Sequence, residues 1–186
     1  EKAIHAALPF VNEDKLVTFG VTPTEAASGF GYIESENILS HEKLNGEKII
    51  RFIEKPSKEV AESFLLKKNF YWNSGIFMFR ANSFLKEIKK YSFDMFKLCS
   101  DALSKSVIDL DFQRLDKVAF SKCENISIDN ALMEKTTSGY VLPLNVGWSD
   151  VGSWESMWKI SKKDKNGNLI DGKIISKDVK NSYLRS

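Results

Sequence analysis

The sequence predicts an α/β protein, and three observations lead there. Short β-branched and aromatic runs alternate with segments whose apolar residues recur at helical spacing, up to about residue 160. Glycine, proline, serine or asparagine stands between most of these runs. Hydrophobic residues make up 42% of 186, with 13 Phe and 4 Trp, enough for one domain with a true core.

In chain order, the sequence opens at Glu1 in helix-like residues, so an upstream part is expected to precede it. Leu16 to Phe19 is the first strand run, ended by Gly20 and Pro23, and Phe30 to Glu34 is the second, entered through Ser28-Gly29. Lys48 to Glu54 alternates, with Ile49, Arg51 and Ile53 on one face and Ile50, Phe52 and Glu54 on the other. Pro56 stops that strand and biases Lys55 to an extended backbone. Ser57 then caps a helix carrying Val60, Ala61, Phe64 and Leu65. Asn73-Ser74-Gly75 reads as a turn before a strand over Ile76 to Phe79, and Asn82 as the cap of a helix with Phe84, Leu85, Ile88 and Tyr91. Helical spacing continues through Phe96, Cys99, Ala102 and Leu103. Residues 104 to 125 read as loop and short helix, with Phe112, Leu115, Val118 and Phe120 as anchors.

Ser127 and Asp129 suit the cap of a helix containing Ala131, Leu132 and Met133. Tyr140 to Leu144 is a strand that Pro143 confines to an edge or an end, and Trp154 to Ile160 is helical. After Ser161 the composition turns polar, and short strand-like pieces follow at Leu169-Ile170, Ile174-Ile175 and Tyr183-Leu184. The expected organisation is therefore a main domain over 1–160 and the start of a β-rich module over 161–186.

Charge narrows the function classes. Lys and Arg number 27 against 25 Asp and Glu, spread along the chain, which points to neither a nucleic-acid partner nor an acidic tail. No apolar run approaches the roughly 20 residues that span a bilayer, and no signal peptide is visible, so a cytoplasmic location is expected. Cys99 and Cys123 lie far apart in sequence without metal-ligand spacing and read as free thiols of a reducing compartment. His5 and His41 fall outside every motif.

Four segments carry residue types suited to a polar ligand. Gly29-Phe30-Gly31-Tyr32 lets the backbone approach a sugar hydroxyl or phosphate, or makes a tight turn. Phe52-Ile53-Glu54-Lys55-Pro56 sets a carboxylate beside an ammonium at a strand end. Glu54 suits two sugar hydroxyls and Lys55 a phosphate, with an exposed ion pair as the plain alternative. In Tyr71-Trp72-Asn73-Ser74-Gly75-Ile76 the Asn73 amide offers donors and an acceptor, and Tyr71 or Trp72 a wall; an ordinary turn with core aromatics is the other reading. Gly147-Trp148-Ser149-Asp150-Val151-Gly152-Ser153-Trp154 puts Asp150 where a helix cap and a ligand for a hard divalent cation are both open.

Taken in order, GFGYIE (29–34), RFIEKP (51–56), YWNSGIFMF (71–79), ISIDNALMEKT (126–136) and GWSDVGSW (147–154) are similar to the mannose-1-phosphate guanylyltransferases. The resemblance is to the bacterial type often fused to a mannose-6-phosphate isomerase domain, and it runs from about Leu16 to Ser186. It implies a Rossmann-like mixed-sheet nucleotidyltransferase domain leading into a β-rich module. The implied reaction joins mannose-1-phosphate and GTP into GDP-mannose and pyrophosphate, for polysaccharide and related routes, and allows a homo-oligomer. By the same resemblance Glu54 holds mannose hydroxyls, Lys55 the sugar phosphate, and Gly31 and Asn73 the sugar, while Asp150 is one of two carboxylates on Mg²⁺. The family's GTP-binding glycine loop and the second Mg²⁺ aspartate have no counterpart here, so the 186-residue polypeptide alone is expected to be inactive. Transfer to another sugar-1-phosphate with UTP or dTTP is an alternative, as is a parent whose isomerase activity lies beyond Ser186.

Overall fold

The computed structural model describes residues 1–186. Its first helix, α1 (Lys2–Asn12), lies against β1 (Leu16–Val21) and buries Ala7 and Val11. Side chains alternate along β1: Leu16 enters one core, while Val17 and Phe19 enter a second one with α1. The strand is therefore covered on both faces, as its unbroken apolar run requires.

Four more strands complete the sheet: β2 (Tyr32–Ser35), β3 (Glu47–Ile53), β4 (Phe70–Met78) and β7 (Gly139–Pro143). The order β1-β4-β2-β3-β7 closes on itself because β7 pairs parallel with β1 and also antiparallel with β3. The remaining pairs are antiparallel, so the sheet is mixed. Pro143 is the last residue of β7, the end position its missing N–H calls for. Helix α2 (Lys58–Leu65) follows β3 as expected, with Ser57 Oγ accepting from Val60 N.

Helices α3 (Ala81–Tyr91) and α4 (Phe93–Ser104) come next, then a hairpin of β5 (Val107–Asp109) and β6 (Phe112–Arg114), and the short α5 (Lys117–Phe120). A single wide turn of π-helix, Asp129–Met133, brings Ala131, Leu132 and Met133 into the main core with Leu16, Ile33, Phe52 and Val141.

Several sequence expectations change here. Strict alternation puts Ile49 and Phe52 on opposite faces of β3, yet both enter the main core. A β-bulge explains it: Glu34 pairs with Arg51 and Ser35 with Ile49, so Ile50 is an extra residue that resets the faces. Asn73-Ser74-Gly75 is no turn between strands but part of β4. Between Thr18 and Gly20 the partner on β4 moves from Phe77 to Asn73, and Gly75 at φ +71° accommodates the bulge. Arg80, not Asn82, precedes the first residue of α3, and no side chain caps that end. The anchors expected at Phe112, Leu115, Val118 and Phe120 are exposed, because β5 and β6 pair only with each other; Ala102 and Ala119 are the buried residues of this region. Cys99 and Cys123, remote in sequence, bring their free thiols within 3.9 Å. Burial, followed by the contact with Cys123, pushes the Cys99 thiol up.

The chain divides into two compact units, Glu1–Asn145 and Val146–Ser186. The second begins ahead of the composition change at 161, because α6 (Trp154–Ile160) packs with the residues C-terminal to it. Trp158 Nε1 donates to Gly167 O at 2.8 Å, and the Trp154 and Tyr183 rings lie 5.5 Å apart. Within this unit β8 (Leu169–Asp171) pairs parallel with β9 (Tyr183–Arg185), and Ile174-Ile175 forms no strand. Asn168 is buried and ties the unit together: its side chain donates to Val179 O and accepts from Ser182 N.

Candidate functional site

Three of the four ligand-suited segments meet at one end of the ring. Asn73 N donates to Gly31 O at 2.8 Å, which extends the β2–β4 pairing one step and fixes Gly31 beside Asn73. A methyl group on Gly31 would lie 2.6 Å from Glu54 Oε2, 3.4 Å from Asn73 Cβ and 3.5 Å from Phe52 Cε1. A side chain at Gly31 would therefore have to displace the Glu54 carboxylate. Gly29 meets nothing within 4 Å, so the close approach belongs to Gly31 alone. Phe30 packs edge-on against Trp72 at 5.1 Å, but Trp72 is buried and, next to Asn73 in β4, points to the opposite face of the sheet, so it does not wall this site. Tyr71 does not either, since it lies in the main core with its hydroxyl on Leu39 N and Lys68 O.

Glu54 and Lys55 form an elbow where β3 leaves the sheet. Lys55 has φ +48°, a left-handed conformation that costs a non-glycine residue on the order of 1 kcal/mol. The extended Lys55 expected ahead of Pro56 gives way to this strained turn, a form often found at ligand sites. Lys55 Nζ lies 3.8 Å from Glu54 Oε1, at the long end of an ion pair, with the lysine side chain 66% exposed and that of Glu54 17%. Such a pair is weak in itself, so the ammonium is free to meet an incoming anion.

Asn73 is held from three sides. Its Oδ1 accepts from Thr18 Oγ1 at 2.9 Å and from Gly75 N at 3.2 Å, while Nδ2 donates to Asp129 Oδ1 at 3.1 Å. The single Thr18 hydroxyl proton is shared between Asn73 Oδ1 and Ile76 O, which lies 3.1 Å away. With Nδ2 on Asp129 and Oδ1 on Gly75 N, the amide is fixed and keeps one further N–H to donate.

Sequence reasoning missed two carboxylates here. Asp129 starts the π-turn, where the sequence predicts a cap; the turn's N-cap is Ile128 with no side-chain cap, and Ser127 Oγ just before it accepts from Asn130 N at 3.3 Å. Glu134 follows the turn, and its Oε1 accepts from Glu54 N at 3.1 Å, across 80 residues of chain. The charges interact. Burial raises the Glu54 pKa above the usual carboxylate range, and the negative charge of Asp129 adds to this; Lys55 opposes it and Glu134 adds further. Burial likewise raises Asp129, opposed by hydrogen bonds from its own backbone, Ser127 and Asn73, with Glu134 raising it again. The ISIDNALMEKT motif was the available signal, but the through-space partners of Asp129 and Glu134 are invisible in it.

Asp150 belongs to the second unit, where its exposed carboxylate lies 3.7 Å from the position of a Gly152 methyl. It does not cap α6; Ser153 Oγ does, accepting from Ser156 N. A separate cavity of about 320 Å³ between α3, α4 and residues 126–131 is lined by Phe84, Ile88, Met95, Phe96 and other largely apolar groups. It includes none of the residues above and lacks the hydrogen-bonding groups a phosphosugar needs.

A family model for nucleotidyl transferases matches residues 2–167. The chain belongs to the nucleotidyl transferase family. It is 46% identical over 188 residues to mannose-1-phosphate guanylyltransferase 2 of Escherichia coli O157:H7, covering 99% of this chain and 39% of that protein. It is 44% identical to mannose-1-phosphate guanylyltransferase of Salmonella muenchen, over 100% of this chain and 38% of the relative. The chain thus spans about two fifths of the length of the curated relatives it matches. Among solved structures, mannose-6-phosphate isomerase from Helicobacter pylori superposes with a TM-score of 0.72 at 37% identity, over 80% of this chain and 57% of that one. A mannose-1-phosphate geranyltransferase from Thermus thermophilus superposes with a TM-score of 0.73 at 23% identity, over 92% and 47%, and shows the shared fold. No helix is long and apolar enough to cross a membrane.

Proposed function

We propose that this chain supplies the sugar-phosphate side of an enzyme that makes GDP-mannose and pyrophosphate from mannose-1-phosphate and GTP. The observation that carries the reading is the meeting of Gly31, Glu54, Lys55 and Asn73, from three separate motifs, at one end of the sheet. The names of the Escherichia coli and Salmonella relatives support the choice of mannose-1-phosphate and GTP. A cytoplasmic setting agrees with such soluble substrates.

In this reading Glu54 accepts hydrogen bonds from mannose hydroxyls, and the Gly31 backbone N–H and the remaining Asn73 amide N–H donate to others. Lys55 meets the sugar phosphate as a point charge. A phosphate oxygen of the sugar attacks the α-phosphorus of GTP; that P–O bond forms, the bond to the β-phosphate oxygen breaks, and pyrophosphate leaves with the electron pair. Catalysis then rests on positioning and charge neutralisation, and no side chain here needs to be a nucleophile. We assign Asp150 to Mg²⁺: its exposed carboxylate is a hard oxygen donor in a glycine-flanked loop, suited to an ion that keeps most of its waters and shares substrate phosphates. Bound there, the ion would neutralise phosphate charge.

The test is pyrophosphate release by the complete protein that carries this chain, with Lys55→Ala and Asp150→Ala beside it. Release from mannose-1-phosphate and GTP that both substitutions abolish is the expected result. Release that survives both would sink the site assignment. Release only with glucose-1-phosphate and UTP or dTTP would move the protein to another transferase of the family. The Helicobacter pylori structure's name favours a second activity in the complete protein, mannose-6-phosphate isomerisation outside this chain. Conversion of mannose-6-phosphate to fructose-6-phosphate by the same preparation would establish it, and its absence would remove it.

A further inference from the structure

We propose that Glu134 is a positioning residue that locks the Glu54–Lys55 elbow in its binding conformation by accepting the backbone N–H of Glu54. The inference deepens the sugar-phosphate reading above and rests on it for its kinetic consequence.

The β2–β3 ladder stops just short of the elbow, at Ile53 opposite Tyr32. The next residue, Glu54, has no strand partner for its N–H, Lys55 turns left-handed at φ +48°, and Pro56 has no N–H to offer. A strained turn of this kind persists only when its surroundings hold it. Here the hold is Glu134 Oε1, 3.1 Å from Glu54 N. A carboxylate accepting from a backbone N–H makes a charge-assisted bond, stronger than a neutral one.

The carboxylate also has a firm base. Ala131, Leu132 and Met133 directly before it are 4%, 0% and 3% exposed, and Glu134 N closes the π-turn onto Asp129 O at 2.9 Å. The core of the domain thus sets the position of the elbow through one exposed side chain.

The charge on Glu134 is a cost to the site. It disfavours the ionised forms of both Glu54 and Asp129. The bond to Glu54 N offsets that cost, and the two effects can be separated. Glutamine at 134 keeps an acceptor oxygen of the same reach and removes the charge. Alanine or serine removes the reach. The charged groups facing Glu54 are Lys55, Asp129 and Glu134, so removing the Glu134 charge leaves one that raises its pKa and one that lowers it.

The experiment compares Glu134→Ala, Glu134→Ser and Glu134→Gln in the complete protein. Glu134 is exposed, so the substitutions leave the core intact, and thermal melts of all three check this. The first readout needs no substrate: exchange of the Glu54 amide proton, followed by NMR. It is expected to quicken in the alanine and serine variants and to stay at the wild-type rate in the glutamine variant. The second readout is steady-state pyrophosphate release. Loss of the bond is expected to raise KM for mannose-1-phosphate about tenfold and to leave KM for GTP within about twofold. Glutamine restores KM for mannose-1-phosphate and moves the acid limb of kcat/KM to lower pH. Unchanged Glu54 exchange in the alanine and serine variants, or an equal loss in the glutamine variant, overturns the proposal. So does an unchanged KM for mannose-1-phosphate. If wild type turns over neither mannose-1-phosphate nor GTP, the functional reading fails by itself, and Glu54 exchange still decides whether Glu134 holds the elbow.

Discussion

Replacing Gly31 with alanine sets a methyl group against the carboxylate that the sugar reading needs most. The new Cβ would stand 2.6 Å from Glu54 Oε2, where ordinary contact begins near 3.4 Å, so the carboxylate must retreat by about 0.8 Å. It is able to do so, because it is the far end of a side chain rather than backbone. Asn73 Cβ at 3.4 Å and Phe52 Cε1 at 3.5 Å tolerate the methyl group, and Gly31 does not have the left-handed φ that alanine resists. Stability is therefore expected to change little: alanine restricts the unfolded chain, worth about 0.4–1 kcal/mol, against the local crowding. Function is expected to suffer more. Displacing a positioned group by nearly 1 Å costs up to about a hundredfold, and losing one hydrogen bond to a charged acceptor costs roughly tenfold. The assay is kcat/KM for mannose-1-phosphate by pyrophosphate release, with a thermal melt alongside. A fall of between about tenfold and a hundredfold, with Tm moved by no more than about 4 °C, is the expected outcome. A kcat/KM within threefold of wild type would show that Glu54 is not placed by Gly31 or does not hold the sugar.

Asn73→Asp removes the N–H that Asp129 Oδ1 accepts at 3.1 Å and sets two carboxylates face to face. Unfolding free energy by urea titration should fall by about 2–4 kcal/mol at pH 7. A carboxyl whose folded pKa is raised binds its proton more tightly folded than unfolded, so stability is lost as pH rises through that folded pKa. The penalty should therefore shrink at pH 5, and an equal penalty at both pH values would contradict the charge argument. If Glu54 holds the sugar as proposed, its raised pKa is expected to set the acid limb of mannose-1-phosphate binding above that of an ordinary glutamate. Asp129 is the charged neighbour that raises it most, so Asp129→Asn, which keeps an acceptor for Asn73, should move that limb to lower pH in calorimetric titrations; a limb that stays in place would exclude Glu54 as the titrating group.

Local signals in the sequence translated well into structure. Ser57 gives α2 its cap and Ala61 and Phe64 its buried face, while Val60 and Leu65 at the rim of that spacing stay exposed, and Pro143 ends β7 as a residue without an N–H must. Simple alternation misplaces the strand faces where a bulge resets the period: one extra residue at Ile50 joins Ile49 and Phe52 in one core, and no local pattern announces it. Asn73-Ser74-Gly75 has the composition of a turn, yet Asn73 pairs with Gly20 of β1 and donates its N–H to Gly31 O, and Ser74 and Gly75 are absorbed in the β1–β4 bulge. In the candidate site, the adjacency of Glu54 and Lys55 was legible because they are neighbours in sequence. Asp129 and Glu134 reach Asn73 and Glu54 across 56 and 80 residues, contacts that exist only once the ring has closed.

The most direct test is a crystal structure of the complete protein with mannose-1-phosphate bound. The sugar hydroxyls are expected on the Glu54 carboxylate and the Asn73 amide, with the ring over Gly31 and the phosphate on Lys55 Nζ. A phosphate bound away from Lys55, or a sugar that leaves Glu54 untouched, would contradict the account.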